Sequence, residues 1–198
     1  MDIQGAPFKF EALFTTRAPR EPLFNFRLLH IFEVLASCDS CHRVKAYWHH
    51  HHGPFHPHAH WFDDIRCRNH KSEVARLGSP DVYIAGFPCP AFSSAGLNGG
   101  IEVEEGQLIT HILKFLRVAT PKLIILENVK GLEQRHKPVL TWILAKLKNL
   151  NGHAYQVHHK ILDSNDHGLP HSRRRLWFVA IRMDQVSQLL FASSVDFQ

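Results

Sequence analysis

Three groups of residues in this chain have types and spacings suited to chemistry. Cys89 lies in Gly86-Phe87-Pro88-Cys89-Pro90. The two prolines stiffen the backbone on either side of it, while Gly86, Ser93, Ser94 and Gly96 let the following stretch move. A rigidly aimed thiol beside a mobile lid suits a nucleophile that must close over a substrate. The competing reading is a small buried hydrophobe, the commoner fate of a free cysteine. Glu127-Asn128 closes the apolar run Lys122-Leu123-Ile124-Ile125-Leu126. A carboxyl in a semi-apolar pocket has its pKa raised, so it holds or shares a proton near neutrality; the alternative is an acid capping the next turn. Arg173, Arg174 and Arg175 stand directly before another apolar run. Strand residues alternate in direction, so Arg173 and Arg175 face one side and Arg174 the other. Two guanidiniums facing one cleft suit phosphate or base recognition, whereas a solvated basic run would need no function.

The elements that must position these groups read as alternating strands and helices. Residues 1–27, with Pro7, Pro19 and Pro22, read as an irregular N-terminal arm. Leu28 to Val34 reads as a buried strand ending near Glu33, residues 37–48 as a helix, and the His-rich residues 49–61 as a loop broken by Gly53, Pro54 and Pro57. Asp81 to Gly86 reads as a strand running into the Cys89 segment. The stripe Leu108, Ile109, Ile112, Leu113, Leu116 and Ala119 predicts a helix that Pro121 stops. Lys122 to Glu127 is the clearest strand, and Val139 to Leu147 carries a second helical stripe ended by Gly152. Tyr155 to Leu162 and Arg175 to Ile181 read as two strands with no helix between them, which suggests an antiparallel pair at one side of the sheet. The pattern predicts an α/β fold over residues 28–182 with a largely parallel core, followed by a tail at 183–198. In such sheets the chemistry sits beyond the carboxyl ends of the strands, the address of Glu33, Cys89 and Glu127.

Bulk properties agree with a single domain that meets a polyanion. The 198 residues carry a net charge of +5 with histidine neutral, and the pI is about 9.2. Apolar stretches are too short to cross a bilayer and no secretory leader is evident, which predicts an intracellular location, nuclear in a eukaryote or cytoplasmic in a bacterium. Four cysteines do not make a disulfide framework. Of the 17 histidines, seven lie between His49 and His60.

Taken together, the three groups resemble one family. Gly86-Phe87-Pro88-Cys89-Pro90-Ala91-Phe92-Ser93-Ser94-Ala95-Gly96 resembles the Pro-Cys loop of the DNA cytosine-C5 methyltransferases. Leu126-Glu127-Asn128-Val129 is similar to their Glu-Asn-Val motif, and His167-Gly168-Leu169-Pro170-His171-Ser172-Arg173-Arg174-Arg175 to their Gly-hydrophobic-Pro-Gln-x-Arg-x-Arg motif. The order is the family's. The resemblance implies the Rossmann-like sheet of S-adenosylmethionine-dependent methyltransferases, with S-adenosylmethionine as cofactor and a cytosine flipped out of DNA as substrate. It implies catalytic roles for Cys89, Glu127, Arg173 and Arg175. By the same resemblance Glu33 matches the acid that binds the cofactor ribose, and Asp64, before Ile65, the acid at the adenine amine, with Asp63 its rival. Pro88 and Ile65 complete the implied cofactor-binding set, and no metal is implied.

The chain also departs from that pattern. The family's Phe-x-Gly-x-Gly loop has no counterpart in residues 1–27, where Leu13-Phe14-Thr15-Thr16 is the nearest echo. Pro90 and His171 stand where glutamine is usual, and the His-rich loop reads as an insertion. The 16 residues after Arg182 are too few for a target-recognition region, which is therefore expected to be absent from this chain and supplied by a missing segment or a partner chain. A second reading is a catalytically inactive relative that binds nucleic acid or a protein partner. A third, ranked lower because Phe92-Ser93 looks more like the DNA enzymes, is a transfer-RNA cytosine methyltransferase. A fourth is a structural zinc on Cys38, Cys41, Cys67 and the His-rich loop.

Overall fold

The computed structural model describes residues 8–14, 32–87, 108–150, 152 and 155–185. Its frame is a seven-stranded sheet in the order β3-β2-β1-β4-β5-β7-β6. The strands are β1 (Phe8–Phe14), β2 (Phe32–Cys38), β3 (His60–Phe62), β4 (Val82–Gly86), β5 (Leu123–Val129), β6 (Tyr155–Asp163) and β7 (Arg174–Arg182). The first five pair in parallel. β7 runs antiparallel to both β5 and β6. The expected α/β sheet with an antiparallel pair near the C-terminus is thus what the chain forms.

Helices α1 (His42–His51), α2 (His70–Leu77), α3 (Leu108–Ala119), α4 (Gly131–Arg135) and α5 (Lys137–Lys148) connect the strands. Alternation along β4 divides them between the two faces of the sheet. Val82 and Ile84 pack with Val34, Trp48 of α1 and Trp61. Tyr83 and Ala85 point the other way, into the main core, where Ile109, Ile112, Phe115 and Leu116 of α3 and Ile143 and Leu147 of α5 are buried. The Tyr155 hydroxyl donates to the Pro121 carbonyl at 2.6 Å, tying the start of β6 to the turn before β5.

Three expectations need correction. Residues 8–14 are not irregular: they form β1, paired with β2 on one side and β4 on the other, in the middle of the sheet. The alternation of Phe8, Phe10, Ala12 and Phe14 was available as a strand signal and was masked by the surrounding prolines. The second strand runs from Phe32 to Cys38, later than Leu28 to Val34, because Ala36, Ser37 and Cys38 are the residues buried between β1 and β3. The His-rich stretch is only partly a loop, since α1 runs through His51, a 3-10 turn spans Gly53–Phe55 and β3 begins at His60. Residues 70–77 form a further helix, α2, with Asn69 as its cap, accepting from the Ser72 amide at 3.2 Å.

The link from β3 to α2 is anchored by a buried ion pair. Arg68 Nε donates to Glu73 Oε2 at 2.7 Å, with the two side chains 1% and 9% exposed. The Arg68 guanidinium lies over the Phe62 and Phe115 rings, 4.1 and 4.7 Å from their centroids. Removing one partner leaves an uncompensated buried charge, so Glu73→Ala is expected to lower unfolding free energy by about 3–5 kcal/mol in urea titration. The solvent-facing Lys45–Asp63 pair is a control: Asp63→Ala should leave the urea midpoint unchanged.

Candidate active site

The carboxyl edge of the parallel strands carries the candidate groups in a continuous row. Cys38 pairs with Phe62 and Leu13, Phe14 with Gly86, and Gly86 with Glu127. β7 is reversed, so its arginine-bearing start lies at this same edge, with Arg175 opposite Val129.

Glu127 and Asn128 face opposite sides of β5. Asn128 points into the core, 1% exposed, where its amide donates to the Phe87 carbonyl at 3.3 Å. That bond joins the end of β5 to the segment that continues from β4. Glu127 faces the other side and is 13% exposed, with Oε1 2.8 Å from Arg175 Nε. Burial pushes its carboxyl above the usual carboxylate range, and the positive charges of Arg175 and Arg173 offset this only in part. Gly86 makes room for this acid: a Cβ there would lie 3.3 Å from Glu127 Oε2.

The arginine triplet is divided. Arg175 takes Glu127, while Arg174 turns to the other side and pairs with Asp163 at 3.1 Å. Arg173 is exposed, yet near enough for its charge to act on Glu127. The structure therefore brings Glu127, Arg175 and Arg173 together. Cys89 and Pro88 lie outside the described residues, as do Thr15 and Thr16.

The cofactor acids are distributed differently from expectation. Glu33 is exposed at the amino end of β2, away from the carboxyl edge that carries the other candidate groups. The residue that follows the carboxyl end of this strand is Asp39, 3% exposed. Its Oδ1 accepts from the Cys41 amide at 2.6 Å, and its own amide donates to the Phe62 carbonyl at 3.1 Å. The misplaced strand end hid it; a strand drawn to Cys38 would have exposed it. Asp64 follows β3 and caps the turn at Ile65, a residue 3% exposed. Arg66 holds the Asp64 carboxylate at 2.7 Å, and hydrogen bonding from its guanidinium keeps the pKa below the usual range. Asp63 points to solvent, 71% exposed, and pairs with Lys45. A buried two-oxygen acceptor beside a second acid and an apolar side chain suits the hydroxyls and amine of a bound nucleoside, so these residues fit the adenosine part of S-adenosylmethionine.

Of the histidines between Trp48 and Trp61, His56 is buried and His49 and His52 pack against Trp48, while His50 and His58 are exposed. Rings of His49 and His52 lie 5.2 and 6.2 Å from Trp48, and burial lowers the pKa of His52 and His56. Cys38 is buried in β2, and among the described residues no three His, Cys, Asp or Glu side chains converge as a metal-ligand set.

Most of the chain is similar to known proteins. The family model described as C-5 cytosine-specific DNA methylase matches residues 29–197. The chain is 40% identical over 112 residues to Type II methyltransferase M.DsaV of Dactylococcopsis salina, covering 56% of this chain and 31% of that protein. It is 36% identical over 104 residues to Type II methyltransferase M.HhaI of Haemophilus parahaemolyticus, covering 52% of this chain and 31% of that protein. The chain thus spans about a third of the length of these relatives. Among solved structures, a prophage-encoded DNA modification methyltransferase from E. coli superposes with TM-score 0.64 at 18% identity, covering 89% of this chain and 47% of that one. A DNMT2 variant from Spodoptera frugiperda gives TM-score 0.62 at 19% identity, covering 90% and 51%. These likenesses show the fold, that of S-adenosylmethionine-dependent methyltransferases.

The balance at Glu127 is directly measurable. Arg175→Gln removes a positive charge that favours the ionised carboxyl, so the Glu127 pKa should rise further. A carbon-13 NMR titration of its carboxyl reads this; an unchanged or lower value would contradict the geometry.

Proposed function

The chain belongs to the C-5 cytosine-specific DNA methylase family, and from that premise we propose that it methylates C5 of cytosine in DNA through a covalent adduct with Cys89. The observation that carries this reading is the half-buried Glu127 carboxyl, paired with Arg175 and register-matched to Gly86, three residues before the thiol. From Phe87, which Asn128 holds, Cys89 is two residues on, at most about 7 Å of extended chain.

Cytosine C5 is a poor nucleophile until something adds at C6. The Cys89 thiolate forms a sulfur–C6 bond, and the C5–C6 π electrons become available at C5 while negative charge spreads toward N3 and O2. Glu127, whose carboxyl burial shifts toward the protonated form, donates a proton to N3 and accepts from the exocyclic amine, so it steadies the charge as it develops. Arg173 and Arg175 favour the thiolate and hold the base or its phosphate. S-adenosylmethionine supplies the electrophilic methyl group when bound. Asp39 holds the ribose hydroxyls and Asp64, with Ile65, the adenine. Once C5 carries the methyl group, loss of its proton and expulsion of the Cys89 thiolate restore the aromatic ring. The ring must leave the base stack for any of this to occur, so DNA is bound with the cytosine flipped.

The second reading, an inactive relative that binds nucleic acid or a partner, is favoured by one observation. β1 ends at Phe14 beside Gly86, and Thr15-Thr16 follow where the family pattern has glycine. Duplexes carrying 5-fluorocytosine separate the two readings, because fluorine cannot leave C5 as a cation and the adduct persists after methyl transfer. The enzyme reading expects a stable protein–DNA species with S-adenosylmethionine, absent in Cys89→Ala and formed about 10²–10³-fold more slowly in Glu127→Gln. No adduct with the unmodified chain favours the inactive reading. Calorimetry tests the cofactor assignment: Asp39→Ala should weaken S-adenosylmethionine binding at least tenfold, while Glu33→Ala should leave it unchanged. The opposite pattern would return the ribose role to Glu33.

A further inference from the structure

We propose that Asp163 is a positioning residue, clamping the neck of the 164–173 loop together with Arg174 so that Arg173 and Arg175 enter β7 in register with Glu127. The proposal rests on the catalytic reading of Glu127 and the two arginines, and adds a residue that none of the motifs marks. Asp163 ends β6, Arg174 begins β7, and the two are register partners. One Asp163 carboxylate gathers four donors from across the loop. Oδ1 accepts from the Asn165 amide at 3.2 Å and the Arg173 amide at 2.9 Å. Oδ2 accepts from the Ser172 hydroxyl at 2.6 Å and from Arg174 Nε at 3.1 Å. The Ser172 hydroxyl is the largest of several hydrogen-bonding influences that hold this acid well below the usual carboxylate range, so it stays ionised where the arginines do.

The neighbouring bonds close the same neck. Ser164 Oγ donates to the His171 carbonyl at 2.7 Å, and the Ser164 amide reaches the Arg173 carbonyl at 3.4 Å. Residues 165–173 are otherwise exposed, so apolar packing does little to place the chain that delivers the arginines. Precision matters here because strand side chains alternate. A slip of one residue would turn Arg174 toward Glu127 and Arg175 away from it. Asp163 opposes that slip in two ways: it fixes the Arg173 backbone, and it engages the one arginine of the triplet that faces the other side.

The partition of donors between the two oxygens gives a rescue test. Asp163→Asn keeps Oδ1 and both amide bonds but replaces the acceptor used by Ser172 and Arg174; Asp163→Ala loses all four. With the full chain at saturating 5-fluorocytosine duplex and S-adenosylmethionine, the Ala variant should form adduct about 100-fold more slowly. Its half-saturating DNA concentration should change much less, and the Asn variant should recover at least tenfold of the lost rate. Amide hydrogen exchange at Arg173, which needs no catalysis, should accelerate about tenfold or more in Ala and stay near the original rate in Asn. An unaltered Arg173 exchange rate in Ala, or an Asn variant no faster than Ala, overturns the clamp. Absence of adduct with the unmodified chain counts against the catalytic reading, and the exchange measurement still decides the clamp. If Ala fails to fold, Arg174→Ala takes its place: a slowed adduct supports the clamp and an unchanged rate overturns it.

Discussion

A carboxyl that ends an apolar strand must find a positive partner or give up its charge, and the edge of this sheet is arranged around that demand at Glu127. Parallel strands present only their carboxyl ends at this edge, so a strand that starts there must run the other way. β7 does so. Its reversal brings Arg175 against Glu127 at 2.8 Å, in a diagonal pairing across β5 and β7. The neighbouring residues serve the same contact: Gly86 leaves space for the carboxyl, and Asn128 ties the adjacent segment from the opposite face.

Much of this was legible in the sequence, and the failures have physical causes. Helix α3 was read at its observed limits because six of its residues face a single core, and β5, β6 and β7 were read within about two residues because their apolar runs are long. β1 was lost: Lys9 and Glu11 diluted its apolar character, though its alternation was intact. β2 was displaced because the interior of the sheet selects small side chains there. Ala36, Ser37 and Cys38 are nearly inaccessible, yet none is a strong strand former, while the bulkier Leu28 to Ile31 drew the assignment upstream. That slip moved the apparent strand end from Asp39 to Glu33.

The motifs pick out residue types but not how the fold divides them between partners. Three arginines in a row look equivalent, and alternation alone says only that the middle one differs. Folding shows what the difference is for: Arg174 is committed to Asp163, Arg175 to Glu127, and Arg173 contributes its amide to one and its charge to the other. Asp163 was invisible because its importance lies in bonds to backbone amides and to residues nine to eleven positions away. No side-chain pattern records those.

In the proposed mechanism the arginines serve both a thiol and an acid, and they set the two groups conflicting demands. Positive charge lowers the pKa of both, which assists a thiol that must ionise and works against an acid that must keep its proton. Burial resolves the conflict when it is applied unequally. At Glu127 desolvation outweighs the two guanidiniums and the carboxyl stays above its usual range despite them. In the proposed mechanism the arginines then act on the thiolate and on the substrate while burial still favours the acid's protonated form. On this view the depth of Glu127 is as much a part of the chemistry as its identity. An arginine pair next to a solvent-exposed glutamate at the same distance would meet no desolvation to oppose its pull toward the charged form.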